Sequence, residues 1–270
     1  MQRDLLIVCF ALVALVSCKK SNSGSSDPEP DPQEKGCKVA SETIDGRPYR
    51  NYDYDADKRL FRIVQYETKS TNRIEKRYTF EYNSAGTVKV VRETNLLAPF
   101  INLQYDLHYA GVGRLDTIRK YQVVNSGPRI LETYALEYEA KGLITKYKWK
   151  NNYMRYGYDG NGNLTKWFVS IPSISPEVIA AEYGNYDGKR NVYADTRPAE
   201  LVNIIAGQGL SNENPGSFKY REASLRPLQT GLVDYKYNAR ELPTEANVSL
   251  FAPDGSPAGT QVFKFTYNCN

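Results

Sequence analysis

Apolar and polar residues alternate with period two along most of the chain. Tyr78, Phe80 and Tyr82 alternate with Arg77, Thr79 and Glu81. Tyr147 and Trp149 alternate with Lys146, Lys148 and Lys150, and Phe263, Phe265 and Tyr267 with Lys264 and Thr266. Successive side chains of a strand point to opposite faces, so these runs predict strands with one buried and one wetted face, as an antiparallel meander requires. Helical spacing is nearly absent. The exception is Pro198–Gly207, where Thr196 or Asp195 can cap, Pro198 opens and Gly207 closes a short helix near 198–206.

The strands recur in a unit: an aromatic-x-Tyr end, a polar turn and an aliphatic residue opening the next run. Copies are Tyr52-Asp53-Tyr54 before Leu60, Phe80-Glu81-Tyr82 before Val88, Leu107-His108-Tyr109 before Leu115, and Leu136-Glu137-Tyr138 before Leu143. The sharpest is Tyr156-Gly157-Tyr158-Asp159-Gly160-Asn161-Gly162-Asn163-Leu164; Tyr235-Lys236-Tyr237 before Leu242 follows, and the chain ends on a truncated Phe263-Lys264-Phe265. Each copy reads as a β-hairpin whose Asp, Asn and Gly residues tolerate the positive φ of a tight turn.

The stretch 156–164 resembles the YD repeat of Rhs and teneurin proteins, and most of 37–270 resembles the YD-repeat-like domains of unknown function in Bacteroidota lipoproteins. Tyr183–Tyr193 and Asn212–Pro215 are similar to the second half of those domains. The long repeat arrays that let true Rhs proteins form a closed shell are missing. The resemblance implies an all-β fold, a curved antiparallel meander of hairpins forming a YD-repeat-like sheet or half-open barrel. It carries over no catalytic residue.

The amino terminus reads as a lipoprotein signal over 1–17. Arg3 precedes an apolar run from Leu5 to Val16, and Leu15-Val16-Ser17-Cys18 forms a lipobox that makes Cys18 the lipid-bearing residue. The apolar run is shorter than the roughly 20 residues that a membrane-spanning helix needs. Several acyl chains on one cysteine anchor stably where one binds marginally. Residues 18–36, rich in Ser and Pro, read as a disordered tether, and 37–270 as one domain. Lys19 after the lipidated residue is compatible, by analogy with well-studied bacteria, with outer-membrane sorting, without indicating the leaflet.

Of four cysteines, Cys9 lies in the signal and Cys18 takes the lipid, leaving Cys37 and Cys269 near the domain's ends. An exported chain favours disulfides, and a Cys37–Cys269 bond would join those ends. Neither has metal-ligand neighbours at a zinc spacing. The formal net charge is +4, with Lys and Arg dispersed among strands. This argues against a nucleic-acid partner, which needs a basic patch.

Catalytic signatures are absent from the sequence. The single histidine, His108, takes the variable position between two strand residues, which suits a solvent-facing side chain better than a general base. There is no paired-His zinc motif, no Gly-x-Ser-x-Gly elbow and no phosphate loop. Asp53, Asp55 and Asp57 have the spacing of a calcium loop, but Lys58 replaces its glycine and Val64 its glutamate, so they read as turn residues. No cofactor or metal is expected.

Among the 22 tyrosines and two tryptophans, most should pack. Trp149 and Trp167 flank the sharpest hairpin, and with Tyr156 and Tyr158 they are the candidate ligand-binding residues, suited to the apolar face of a sugar. Ile171–Pro176 and Asn212–Gly216 are further loops where binding residues can sit. The chain is expected to be a non-enzymatic binding module for a glycan or envelope protein, anchored in the bacterial envelope. The alternatives are a carboxylate-dependent carbohydrate-active enzyme and a structural assembly component.

Overall fold

The computed structural model describes residues 36–269, apart from 69–72, 99–100, 112, 173–174, 194 and 222–226. The signal segment, Cys18 and nearly all of the tether lie outside the described residues, as does part of the Ile171–Pro176 loop.

The described residues form sixteen strands and one helix. In chain order they are β1 (Cys37–Ile44), β2 (Arg47–Tyr54), β3 (Leu60–Tyr66), β4 (Ile74–Tyr82), β5 (Val88–Asn95), β6 (Asn102–Ala110), β7 (Arg114–Val124) and β8 (Gly127–Tyr138). There follow β9 (Ile144–Trp149), β10 (Asn152–Tyr158), β11 (Leu164–Ile171), β12 (Ser175–Arg190), α1 (Arg197–Ile205), β13 (Glu213–Arg221), β14 (Pro227–Tyr237), β15 (Pro243–Phe251) and β16 (Pro257–Cys269).

Each strand pairs antiparallel with its chain neighbours, and β1 pairs with β16, so the sheet is a closed barrel. This corrects the expected open or half-open sheet. The β1–β16 ladder runs from Cys37↔Cys269 to Ile44↔Phe263, a contact between chain ends that period-two patterning does not encode. Closure removes both unpaired edges, which would otherwise template aggregation.

The alternation sorts residues to the two faces of the wall. Tyr52, Ile63, Tyr78, Phe80, Tyr105, Leu107, Ile118, Leu136, Tyr147, Tyr156, Phe263 and Phe265 are buried in one core. The opposite positions carry charge, with ion pairs such as Arg62–Asp53 at 2.6 Å, Arg221–Glu182 at 2.8 Å and Lys236–Glu245 at 2.6 Å; Lys148–Glu137 and Arg92–Glu81 pair similarly. Exposed pairs contribute at most about 1 kcal/mol each, so what they show is direction: these positions of the outer wall carry charge. A barrel that spans a bilayer instead carries an outward apolar band.

The repeat has a hydrogen-bonding basis. In the turn opened by Asn83, the side-chain Oδ1 accepts from the N–H groups of Ala85 (3.0 Å) and Thr87 (2.9 Å). Asp159 and Asn238 do the same for the residues two and four positions on. The fourth position takes positive φ, which Gly86 and Gly162 adopt without strain. The second tyrosine of the unit then reaches across to the wall: Tyr54 donates to the Val39 carbonyl (2.7 Å), Tyr82 to Leu60 (2.6 Å), Tyr109 to Val88 (2.9 Å), Tyr158 to Ile144 (2.9 Å) and Tyr267 to Pro243 (2.7 Å). Asx-opened turns and tyrosine hydroxyls therefore account for the Tyr-Asp/Asn pattern.

The long connection between β12 and β13 folds into the lumen. Tyr193 in it contacts Glu42 of β1 and Arg50 of β2, while Gly207 and Gly209 press on Met154, Tyr156 and Leu164 of β10 and β11. Reaching walls so far apart in strand order places the segment inside the barrel. Helix α1 starts at Arg197 with Pro198 in its first turn, as expected, but Thr196 makes no side-chain cap. Its hydroxyl instead accepts from the Val39 N–H at 3.3 Å. Gly207, at φ +74°, lies where a Cβ would come within 2.7 Å of the Met154 sulfur.

Candidate functional site

The plug enters from the end of the barrel that carries the repeat turns and reaches along the lumen to Glu42, Arg50, Tyr147 and Met154. The other end is formed by the connections that leave odd-numbered strands, and its lumen is lined differently along two adjoining arcs. From β1 to β8 the inner face carries charges among the buried rings of Tyr52, Tyr78 and Tyr105. From β8 to β11 it carries aromatic rings.

On the charged arc, the Glu42 carboxylate accepts from Tyr193 (2.5 Å) and from Tyr52. Arg50, in register with Gln65, donates to its Oε1 at 3.2 Å and to the Tyr193 hydroxyl at 3.4 Å. Burial works against the guanidinium charge, yet Tyr49, Tyr52, Tyr193 and Glu42 outweigh it and hold Arg50 well above its ordinary range. Burial first, and then Glu42, push the Tyr52 and Tyr193 hydroxyls up. Lys76 pairs with Glu93 at 3.1 Å, and Tyr105 donates to Glu93 at 3.1 Å. Burial disfavours the Lys76 charge, but Tyr78 and Glu93 raise its pKa on balance. Buried charges need such partners, since each one alone would cost several kcal/mol.

On the aromatic arc, Tyr134 stacks on Tyr147 with ring centroids 4.7 Å apart, and Trp149 lies 6.3 Å from both. Lys120 sits 5.9 Å from the Tyr105 ring, at the junction of the arcs. The rim beside β5–β8 exposes Leu96, Leu97, Ile101, Val124 and Ile130.

The four sequence-derived candidates divide. Trp149 and Trp167 are both half-buried against the core, on the strands flanking β10, with Trp149 opposite Asn152 and Trp167 opposite Tyr156. The Trp167 indole nitrogen is buried and has no hydrogen-bond partner among the described residues. Tyr156 is buried and its hydroxyl donates to the Gly207 carbonyl at 2.7 Å, while Tyr158 is tied to Ile144. Those two tyrosines are committed to the plug and the wall and are not available to a ligand. His108 is exposed on the outer face opposite Thr117. Asp53, Asp55 and Asp57 are each paired with an arginine, Arg62 or Arg59.

Cys37 and Cys269 form a disulfide at the barrel seam. Sequence reasoning missed Glu42, Arg50, Lys76, Glu93 and Tyr193. The signal was present in phase: Lys76 shares parity with Tyr78 and Phe80, and Arg50 with Tyr52 and Tyr54.

No protein-family model matches the chain, and no curated relative matches it. Among solved structures, a porin-like protein from Bacteroides uniformis ATCC 8492 is 13% identical with a TM-score of 0.51, over 85% of this chain and 96% of that one. A second porin-like protein, from Bacteroides vulgatus ATCC 8482, is 13% identical with a TM-score of 0.46, over 86% and 99% of the two chains. A Photorhabdus luminescens Tc holotoxin pore structure is 12% identical with a TM-score of 0.33, and this chain spans 12% of it. At such identity the first likeness speaks for the all-β barrel architecture alone.

Proposed function

We propose that this is a non-enzymatic, lipid-anchored protein of the bacterial envelope that binds a carbohydrate in the mouth opposite its plugged end. The observation that carries the reading is the adjacency of Tyr134 and Trp149, which pack on the buried Tyr147 whose hydroxyl donates to the plug carbonyl of Ile205 at 3.5 Å, to the Lys120 and Lys76–Glu93 groups on one lumen wall. Aromatic rings take the apolar faces of sugars, and neighbouring charged groups take hydroxyls. The likeness to the porin-like protein of Bacteroides uniformis and the lipobox at Cys18 support an envelope location. The charged outer wall and filled plug end support a soluble, tethered barrel rather than a pore.

The test is a screen of the purified protein against polysaccharides and envelope extracts, read by tryptophan fluorescence. A saturable change abolished by Trp149→Ala supports the reading. Absence of binding to any sugar, or binding untouched by Trp149→Ala and Trp167→Ala, rejects the mouth as a carbohydrate site and moves an envelope protein forward as the partner.

A further inference from the structure

The two cysteines of the seam disulfide have unlike surroundings. Cys37 is buried, with 3% of its surface exposed, whereas Cys269 is exposed. The guanidinium of Arg240, on the turn between β14 and β15, donates from Nη1 to the Cys37 sulfur at 3.0 Å. The turn fixes that approach, since the N–H groups of Arg240 and Leu242 both donate to Asn238 Oδ1, at 2.9 and 3.1 Å. Among the described residues Arg240 forms no ion pair with a carboxylate. Its neighbour Glu241 pairs with Lys189 at 2.9 Å, and Asp195, packed against Gly36, pairs with Arg190.

A disulfide sulfur is a weak acceptor and gains little from a guanidinium. A thiolate gains far more, because a full charge is then met by its opposite. Arg240 is therefore placed to serve the reduced state of Cys37 more than the bond. Thiol–disulfide exchange is fastest when the attacked sulfur is accessible and the departing sulfur leaves as a stabilised thiolate. Cys269 meets the first condition and Cys37 the second.

We propose that Cys37 and Cys269 form a thiol–disulfide exchange site whose substrate is a dithiol reductant. One thiolate of the dithiol attacks the Cys269 sulfur and forms a mixed disulfide with it. The bond between the two cysteines breaks, and its electron pair leaves on Cys37 as a thiolate held by Arg240. The second thiolate of the dithiol attacks its own sulfur in the mixed disulfide and frees Cys269. The protein disulfide is reduced by two electrons and the dithiol is oxidised to a disulfide. Of the two protons the dithiol gives up, one passes to Cys269 and one to solvent.

The exchange reaches the plug, because the strand that carries Cys37 also fastens it. Gly36 packs on Asp195, the Val39 N–H donates to Thr196, and Glu42 holds Tyr193. The Arg240 turn touches the root of the plug as well, through Glu241 on Lys189 and through Tyr237, whose hydroxyl binds Asp187. Reduction frees the first rung of β1, while the rungs from Lys38↔Asn268 to Ile44↔Phe263 keep the barrel closed. The entry of the plug is thereby loosened and the wall is not.

The experiment incubates the purified full chain with glutathione, a monothiol, blocks free thiols by alkylation and locates the adduct by peptide mass spectrometry. Glutathione on Cys269 with alkylated Cys37 is expected. Reduction by dithiothreitol should slow about tenfold in Arg240→Gln, where the leaving thiolate loses its cation, and recover in Arg240→Lys. Arg129→Gln should leave the rate unchanged. Arg240 and Arg129 are both exposed, so the variants should fold, which circular dichroism checks. Reduction should also raise hydrogen exchange at 192–196 while the strands stay protected. An adduct on Cys37, or a folded Arg240→Gln variant reduced as fast as the parent, overturns the exchange site. Unchanged protection of 192–196 after reduction overturns its link to the plug.

Discussion

Cys37 and Cys269 face each other at the first rung of the β1–β16 ladder and are joined across 232 residues of sequence. The bond therefore sits on the seam that closes the barrel. Without it the seam is held by the ladder alone, between strands that meet only when every hairpin has formed.

Removing the disulfide should destabilise the barrel without reopening it. Closing a loop of this length is worth about 5 kcal/mol in the chain-entropy description, which sets the upper scale. The Cys37→Ser, Cys269→Ser pair should show a lower denaturation midpoint in guanidinium, by an amount that reduction of the parent protein reproduces. An unchanged midpoint would show that the ladder alone accounts for closure.

The Tyr82–Leu60 bond predicts a cost for losing one hydroxyl. Tyr82→Phe keeps the ring and removes a 2.6 Å donor to a backbone carbonyl, so about 1 kcal/mol of stability should disappear. Tyr121, on β7 outside the repeat pattern, provides the comparison: Tyr121→Phe should be near neutral. Equal effects of the two substitutions in chemical denaturation would remove the tyrosine–carbonyl bridge as the reason for the repeat.

High pH should unfold the barrel cooperatively. An unfolded chain ionises its tyrosines near pH 10. Burial pushes Tyr109 up to about 12 and holds Tyr105 and Tyr147 higher. A pKa raised by folding means that the folded state retains the proton. The stabilisation is intact below pH 10 and is lost as pH climbs towards the folded values, with a slope of about 1.4 kcal/mol per pH unit for each such tyrosine. Absorbance of tyrosinate and circular dichroism should change together above pH 10. Tyrosinate appearing in full while the β signal stays constant would contradict the buried environment of these rings.

The hairpins were legible in the sequence because Tyr78, Phe80 and Tyr82 are in phase and end at a turn that Asn83 and Gly86 specify locally. Helix α1 was legible for the same reason, through Pro198 and Gly207. Its place inside the lumen was not, because the contacts of Tyr193 with Glu42 and of Gly207 with Met154 are non-local. Closure was hidden similarly: nothing in β1 or β16 names the other, apart from one cysteine in each. Of the candidate site, Trp149 and Trp167 could be singled out by residue type. Arg50 and Lys76 share the phase of inward aromatics, and Glu93 that of Val91, but residue type did not single them out, because charges on these strands are far more often at solvent-facing positions. Only the paired strands show that Glu93 meets Tyr105.

The outer wall decides between a tethered binding barrel and a pore, and one measurement tests it most directly. The Cys18→Ser chain, which cannot take a lipid at that position, is purified without detergent, mixed with liposomes for flotation, and added to a planar bilayer. The account predicts a soluble protein that stays out of the liposome fraction and gives no conductance, because Lys148, Arg155, Lys236 and Lys264 face outwards with their carboxylate partners. Detergent-dependent solubility with stable single-channel conductance would contradict it.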